Sequence, residues 1–275
     1  MREEGFLKET AVEIRKNIVK MICKSKSGHP GGSLSIVEIL TALYFGEMNV
    51  DSKKPTMETR DRFVLSKGHA APALYAVLAE KDYIKKEVLS TLREYGSILQ
   101  GHPDMRKVPG IEMSTGSLGQ GLSVANGMAL SGRISGLDYR TYIIMGDGEM
   151  QEGQIWEAAM TSAHYKLDSV CAFIDANNLQ IDGNVDKIKG VEPLDKKWEA
   201  FGWNVIKIDG HNFEEIFVAL DKAKATKGQP TVIIAKTTKG KGVSFMENVC
   251  GFHGVAPTVE ETEQAIKELS VGGKK

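Results

Sequence analysis

The sequence is poor in cysteine and lacks any long apolar segment, and both shortages narrow its class. Its 3 cysteines, Cys23, Cys171 and Cys250, are far apart and form no CxxC pair. We therefore expect neither a disulfide framework nor a structural zinc site, and a reducing compartment is favoured. No apolar run approaches the roughly 20 residues that a membrane-spanning helix needs, and the charged N-terminus lacks the apolar region of a secretion signal. These features predict a cytoplasmic protein that acts without a membrane.

Excess charge of either sign is also missing. Lys and Arg number 35, Asp and Glu number 36, and the net charge is −1, so bulk electrostatics favour neither nucleic acid nor an anionic membrane as a partner. Proline is scarce, with 8 residues, whereas glycine is abundant, with 29. The glycines cluster at 28–32, 116–121, 146–153 and 240–242. Such clusters indicate tight turns or backbone that approaches a ligand closely.

Helical and strand patterns alternate along the chain. Apolar periodicity predicts helices at 5–24, 70–80, 121–135, 154–166 and 213–226. Strands are predicted at 62–66, 141–145, 169–174 and 231–235, and continuously apolar strands of this kind are typical of a parallel sheet covered on both faces. Ser35 and Glu38 have the spacing of a capping box, which predicts a helix start.

This alternation predicts an α/β fold with one doubly wound, mostly parallel sheet flanked by helices. Its 275 residues are enough for one large domain with a substantial core. We expect residues 1–270 to form that domain and residues 271–275 to be a disordered tail.

Acidic and amide side chains follow two of the predicted strands. Asp147 lies between two glycines in "MGDGEMQEG" (145–153), and Asn177 lies in "DANNLQIDG" (175–183) after the next strand. Because ligands collect at the C-terminal ends of parallel strands, these oxygens are expected to meet. A GDG sequence on its own is as typical of a plain turn as it is of a metal site. Together the two loops favour Mg²⁺, which completes its coordination with phosphate and water.

Several histidines lie beside glycine in predicted loops. Imidazole titrates near neutral pH and can donate to phosphate or exchange a proton with a hydroxyl group, although any one of them alone would equally fit a solvated loop. These candidates are His29, His69, His102 and His253. We predict structural roles for His164 and His211. The segment "KTTKGKG" (236–242) could cradle a phosphate or be a solvated loop.

Five further motifs accompany the GDG and Asn loops: "SGHPGG" at 27–32, "LSKGHAAPALYA" at 65–76, "GHPD" at 101–104, "STGSLGQGLSVANGMA" at 114–129 and "FHGVAP" at 252–257. Together they resemble transketolase, over nearly the whole chain and in the family's order. The resemblance implies the thiamine diphosphate-binding fold, specifically its diphosphate-binding domain, with thiamine diphosphate and Mg²⁺ as cofactors.

The resemblance also assigns cofactor and metal contacts. Asp147, Asn177 and the backbone carbonyl of Leu179 correspond to the Mg²⁺ ligands, and Gly148 corresponds to the glycine that lets the main chain approach the diphosphate. Gly116 and Leu118 correspond to positions that meet the aminopyrimidine ring. Ser117 lies between them in the same cofactor-binding loop, where many relatives have proline.

The remaining assignments concern substrate and assembly. His69 and His253 resemble contacts to the diphosphate and to the C1 region of the substrate. His29 and His102 resemble histidines that face the sugar hydroxyls and shuttle protons. Glu152, in the cofactor-binding set, matches an acidic residue at the dimer seam that couples two active sites.

One part of the family's machinery is absent from this sequence. In the family, a glutamate that hydrogen-bonds the pyrimidine N1′ atom lies on a downstream pyrimidine-binding domain, and this sequence ends soon after "FHGVAP". The resemblance therefore implies the N-terminal subunit of a split transketolase. It would act with a separate C-terminal subunit that carries the activating glutamate, in an α2β2 assembly.

The implied reaction moves a two-carbon ketol unit from a ketose, or its phosphate, to an aldose acceptor. The alternatives are a subunit similar to 1-deoxyxylulose-5-phosphate synthase, one similar to the E1α subunit of 2-oxo acid dehydrogenases, and a non-catalytic paralogue.

Overall fold

The computed structural model describes residues 3–272, in which strands and helices alternate. The strands are β1 (Arg62–Leu65), β2 (Thr141–Gly146), β3 (Val170–Ala176), β4 (Leu179–Gln180), β5 (Gly183–Asn184), β6 (Asn204–Asp209) and β7 (Thr231–Lys236). The helices are α1 (Glu4–Ser25), α2 (Pro30–Leu34), α3 (Val37–Ala42), α4 (Ala71–Glu80), α5 (Gly121–Ile134), α6 (Gly153–His164), α7 (Val185–Lys189), α8 (Leu194–Ala200), α9 (Phe213–Ala225) and α10 (Val259–Gly272). Within this part of the chain, no helix is long and apolar enough to cross a membrane.

The central sheet of the described residues has the order β1-β2-β3-β7-β6, and all its pairings are parallel. Side chains that alternate along the strands pack into two cores. Tyr142 and Phe173 pack with α1, α3, α4, α9 and α10 on one face, whereas Ile143 and Ile174 pack with α5, α6 and α8 on the other. The predicted doubly wound, mostly parallel α/β fold is confirmed.

The parallel arrangement brings several loops to one edge of the sheet. The loops after β1, β2, β3 and β7 all leave from the carboxyl ends of strands that are neighbours in the sheet. In such sheets the ligand site is expected at this edge. The strand order therefore brings together motifs that are more than one hundred residues apart in the sequence.

Several elements of the structure were not predicted from the sequence: β4, β5, β6, α2, α7, α8 and α10. Strand β6 was not predicted because it lies at the edge of the sheet and is only partly buried. The prediction of a capping box was wrong, because α3 begins at Val37 and has no side-chain cap. Finally, α10 includes the first two residues of the predicted tail 271–275, and the rest of that tail lies outside the described residues.

Ser35 and Glu38 instead make buried tertiary contacts. The hydroxyl group of Ser35 donates to Asp175 Oδ2 at 2.7 Å. Both carboxylate oxygens of Glu38 accept from Arg15 Nη2 at 2.7 Å, and Glu38 Oε2 lies 3.0 Å from His211 Nδ1. A buried ion pair of this kind outweighs a local cap because leaving Arg15 unpaired would cost several kcal/mol. His211 thus has a structural partner, as predicted.

Because of Glu38, the free energy of unfolding should fall as the pH becomes acidic. Burial alone would raise its pKa, but Arg15 and His211 outweigh burial and lower the pKa from 4.5 to about 2. A depressed pKa contributes stability that is present above pH 4.5 and is lost as the pH falls towards 2. We expect wild type to lose roughly 3 kcal/mol more than Glu38→Gln over this range, measured by chemical unfolding at several pH values.

Glu112 provides the control because it forms a similar ion pair with Arg60. Here burial outweighs Arg60 and raises the pKa of Glu112, so the sign is opposite: its ionised form opposes folding, and acid relieves that cost. Equal pH profiles for Glu38→Gln and Glu112→Gln would contradict the assignment.

Candidate functional site

A cavity of about 290 Å³ lies at the carboxyl edge of the sheet. Loops from distant parts of the chain form its wall, as the strand order requires. The lining residues are His29, Gly32, Lys67, His69, Gly116, Leu118, Gly146, Asp147, Gly148, Glu149, Gln151, Glu152, Asn177, Leu179, Gln180, Ile181, Asp182, Lys239 and His253. Most of the site residues predicted from the sequence are therefore in one place; His102 and Ser117 do not line the wall.

Asp147 lies just beyond β2, where the backbone turns into the short helix Gly148–Gln151. Its Oδ1 accepts from the amide of Gly148 at 2.8 Å, and its Oδ2 accepts from the amide of Asn178. Burial, and then the charge of Asp175, raise the pKa of Asp147 to about 6. Because burial disfavours the ionised carboxylate, a bound cation would stabilise it.

Asn177 and Leu179 follow β3 on the neighbouring loop. Asn177 Oδ1 accepts from the amide of Leu179 at 3.0 Å, and Asn177 Nδ2 donates to Asp175 Oδ2 at 2.9 Å. Asn178, between them, has a φ of 58°, a left-handed conformation that asparagine tolerates well. This turn brings the two loops together through the amide of Asn178 and Asp147.

Asp175 is a fully buried carboxylate behind these loops and was not predicted as a site residue. Its oxygens accept from Lys67, Ser35, Asn177 and Thr237. Burial would raise its pKa, but Lys67 and these hydrogen bonds lower it. Asp175 therefore stays ionised, holds the Asn177 amide in one orientation and fixes the ammonium group of Lys67 at the cavity.

Two lysines supply positive charge, and neither was predicted as a site residue. Lys67 Nζ donates to Gly32 O at 3.0 Å. Lys239 Nζ donates to Leu179 O at 2.9 Å and lies 2.8 Å from His253 Nδ1. Burial, and then the charge of Lys67, lower the pKa of Lys239 to about 8. Both lysines are 2 % exposed, so the segment 236–242 is not simply a solvated loop.

Three of the four candidate histidines form a cluster. The ring centroids of His29 and His69 are 5.2 Å apart, those of His29 and His253 are 5.4 Å apart, and those of His69 and His253 are 5.3 Å apart. The fourth, His102, packs beside Gly116, where an added Cβ atom would lie 2.9 Å from its ring. His164 is exposed on α6, away from this cluster.

Burial lowers the pKa of all four candidate histidines, and nearby cations lower it further. The pKa of His29 falls to about 4, that of His253 falls to about 3, and those of His69 and His102 are also lowered. At neutral pH the four imidazoles are uncharged, so each can donate one hydrogen bond and accept another. This state suits the relay of protons to and from hydroxyl groups.

The loop at 115–119 is anchored by Glu149. One carboxylate oxygen of Glu149 accepts from Ser66 Oγ and from the amide of Gly119 at 2.8 Å, and the other accepts from the amide of Gly146 at 3.1 Å. This buried carboxylate ties the loops after β1 and β2 to the loop with Gly116 and Leu118, which line the cavity. Ser117 points to the exposed side.

Gly68 is the position at which the loop after β1 packs against this segment. An added Cβ would lie 2.7 Å from the backbone nitrogen of Gly116 and 2.7 Å from the carbonyl carbon of Thr115. We expect Gly68→Ala to lower stability by roughly 1–3 kcal/mol because the backbone must move. Gly127→Ala on α5 is the control, since no atom lies within 4 Å of its added Cβ. Denaturant unfolding measures both; equal midpoints would show that the contact is not restrictive.

The donor set fits Mg²⁺ carrying a phosphate group. Among residues 3–272, no group of three or more His, Cys, Asp or Glu side chains is arranged to hold a metal ion. A carboxylate (Asp147), an amide oxygen (Asn177) and a main-chain carbonyl (Leu179) instead leave coordination positions for phosphate and water, as Mg²⁺ prefers. In the described part of the chain, Nδ1 of His29, a residue that lines the cavity, is also buried without a hydrogen-bond partner, which favours a polar ligand.

Comparison with known proteins identifies the family. The family model "Transketolase, thiamine diphosphate binding domain" matches residues 7–274. The chain belongs to the transketolase family. It is 48% identical over 256 residues to an apulose-4-phosphate transketolase subunit of Phocaeicola vulgatus, covering 93% of this chain and 91% of that protein. It is 50% identical over 267 residues to "6-deoxy-6-sulfo-D-fructose transketolase subunit SqwG" of Clostridium sp., covering 97% of each.

A solved transketolase structure has the same fold. The transketolase of Campylobacter jejuni superposes with a TM-score of 0.91 at 35% sequence identity, over 98% of this chain and 43% of that one. The sheet and its helices therefore correspond to the thiamine diphosphate-binding fold of transketolases. The match to proteins that are themselves named transketolase subunits, over nearly their whole length, is consistent with an N-terminal transketolase subunit.

Proposed function

We propose that this chain is the N-terminal subunit of a split transketolase that transfers a two-carbon ketol unit with thiamine diphosphate and Mg²⁺. The observation that carries the proposal is the shared cavity. It combines an oxygen donor set for Mg²⁺, two buried ammonium groups and a cluster of neutral histidines. The positive charges of Lys67 and Lys239 complement the negative charge of a diphosphate, and the carboxylate of Asp147 complements the charge of Mg²⁺.

Different residues would contact different parts of the cofactor. Asp147, Asn177 and the Leu179 carbonyl would hold Mg²⁺, and Gly148 would leave room for the diphosphate to approach the backbone. Lys67 and Lys239 lie beside this donor set, through Asp175 and the Leu179 carbonyl, and would pair with phosphate oxygens there. The anchored loop would place Gly116 and Leu118 against the aminopyrimidine ring.

Thiamine diphosphate supplies the nucleophilic carbon that cleaves and forms the carbon–carbon bond beside a carbonyl group. This chain's own part is to orient the substrate and to move protons. His69 and His253 lie next to the lysines, where they would contact the diphosphate and the C1 region of the substrate. His29 and His102 would face the sugar hydroxyls and exchange protons with them.

A partner subunit is part of the proposal. Two relatives are named as transketolase subunits and match this chain over almost their full length, which supports a separately encoded C-terminal subunit with the pyrimidine domain and its activating glutamate. Glu152 is exposed at the cavity rim, a position suited to a seam between copies in an α2β2 assembly. The same proposal places the enzyme in the cytoplasm.

Two enzyme alternatives use the same diphosphate-binding domain. A 1-deoxyxylulose-5-phosphate synthase would consume pyruvate and glyceraldehyde phosphate, and an E1α subunit would decarboxylate a 2-oxo acid. Matches to proteins named transketolase favour ketol transfer. A non-catalytic paralogue is disfavoured by the intact set of Asp147, Asn177 and the histidines. Incubation of the reconstituted complex with pyruvate and with ketose donors separates these cases.

Cofactor binding tests the proposal directly. We expect calorimetric titration of the chain with its partner subunit to show thiamine diphosphate binding in Mg²⁺ and at least about 100-fold weaker binding in EDTA, because the metal neutralises the diphosphate beside Asp147. Binding of equal strength in both buffers would contradict the metal assignment. No binding in either buffer would contradict the proposed function as a whole.

A further inference from the structure

The loop that carries Lys239 makes hydrogen bonds on its side that faces away from the cavity. Thr238 donates its amide hydrogen to His211 Nε2 at 2.8 Å. Arg15 Nε donates to the carbonyl of Lys241 at 3.0 Å. These two contacts hold the backbone on either side of Lys239. Neither Arg15 nor His211 lines the cavity, so their hydrogen bonds act on a ligand there through the loop.

Both contacts are coupled to a single carboxylate. Glu38 accepts from Arg15 through both oxygens and contacts His211 Nδ1 at 3.0 Å. Because His211 Nε2 accepts the amide hydrogen of Thr238, the ring proton must be on Nδ1, where it donates to Glu38. Glu38 thereby sets both the orientation of the Arg15 fork and the tautomer of His211.

The loop needs such support because it has no regular secondary structure. Gly240 and Gly242 have φ values of 80° and 91°, so the backbone passes twice through the left-handed region. The aliphatic part of Arg15 also packs on Gly242, where an added Cβ would lie 3.1 Å from Arg15 Cδ. Lys239 lines the cavity. The contacts with Arg15 and His211 act together with two backbone hydrogen bonds, from Gly240 to Gly31 and from Asn248 to Lys239, to hold its loop in one conformation.

We propose that Glu38 is a positioning residue for Lys239: through Arg15 and His211 it fixes the 238–241 backbone and so directs the ammonium group of Lys239 at the anionic ligand. This inference rests on the proposed function, in which that ligand is the diphosphate of the cofactor. Glu38 itself touches neither the cavity nor the metal ligands.

A double-mutant cycle tests the inference on the complex with its partner subunit. The measured quantity is the Kd of thiamine diphosphate in saturating Mg²⁺ for wild type, Glu38→Gln, Lys239→Ala and the double variant. We expect Glu38→Gln to weaken binding about tenfold in the wild-type background and less than about twofold in the Lys239→Ala background. In Lys239→Ala the charge-assisted hydrogen bond from Lys239 to the diphosphate, which Glu38 is proposed to align, is already lost.

The control is Glu112→Gln, which breaks a similarly buried pair with Arg60 that makes no contact with the loop. A tenfold loss in this control, or equal losses from Glu38→Gln in both backgrounds, would overturn the positioning role while leaving the proposed function intact. No binding by wild type would overturn both.

Amide hydrogen exchange gives a second measurement, and His211→Gln gives a second variant should Glu38→Gln fold poorly. Exchange in the 237–242 segment is expected to accelerate in Glu38→Gln and His211→Gln but not in Glu112→Gln. Unchanged exchange in the folded variants would overturn the inference.

Discussion

Asp147→Ala is expected to abolish the Mg²⁺-dependent binding of thiamine diphosphate. Asp147 provides the only carboxylate among the three proposed metal ligands, and Mg²⁺ tolerates the loss of such a ligand poorly. We expect the Kd measured by calorimetry in Mg²⁺ to rise at least about 100-fold, to the value that wild type shows in EDTA. Wild type should also gain thermal stability from Mg²⁺ and the cofactor together, whereas the variant should gain none.

Asp186→Asn is a suitable control. Asp186 is an exposed acid of α7 in the same region but does not line the main cavity. The Asp186→Asn substitution removes one negative charge, as Asp147→Ala does, but no proposed metal ligand. The Kd of the cofactor for this variant should therefore stay within about twofold of wild type. Unchanged cofactor affinity in Asp147→Ala, or an equal loss in Asp186→Asn, would contradict the site assignment.

Much of the fold could be predicted because the interior strands are continuously apolar. Strands β2, β3 and β7 are buried along nearly their whole length, so their sequences carry a strong signal of a covered parallel sheet. The rule that ligands collect at the carboxyl edge then placed Asp147 and Asn177 together. Strand β6 carries no such signal, since Lys207 and Asp209 give it the polar alternation of an edge.

The capping box failed for a different reason. Local spacing makes Ser35 and Glu38 a good helix start, but both side chains bind partners that come close only in the folded chain. Asp175 lies 140 positions from Ser35, and Arg15 and His211 reach Glu38 from two other elements. Tertiary pairing of buried charge outweighs a cap that contributes about 1 kcal/mol.

The two lysines show where the sequence is ambiguous at the site. A lysine beside glycine in a loop is commonly solvated, so the local sequence around Lys67 and Lys239 is compatible with either state. Their roles depend on Asp175 and on the Leu179 carbonyl, which are brought near by the sheet order. Asp175 itself offered a signal: an acid at the end of an otherwise apolar buried strand requires a buried cation.

The chain alone is expected to be inert in ketol transfer. The proposed reaction requires a carboxylate that hydrogen-bonds the pyrimidine N1′ atom. Asp147 and Glu149 already accept from backbone amides, and the other two acids that line the cavity, Glu152 and Asp182, are exposed. The Campylobacter jejuni transketolase is matched over only 43% of its length, which leaves room for a further domain in that enzyme. We therefore expect the activating glutamate to come from a second subunit.

A coupled assay with saturating thiamine diphosphate, Mg²⁺, a ketose donor and an aldose acceptor measures this dependence. The purified 275-residue chain should give no turnover above background, and neither should the isolated partner. Mixing the two should restore ketol transfer, because the neutral histidines of this chain and the glutamate of its partner then face the same cofactor. Replacing that glutamate with glutamine in the partner should remove the activity without preventing assembly. Steady turnover by the lone chain, confirmed as folded by its unfolding transition, would place the activating acid within this chain and overturn the two-subunit proposal.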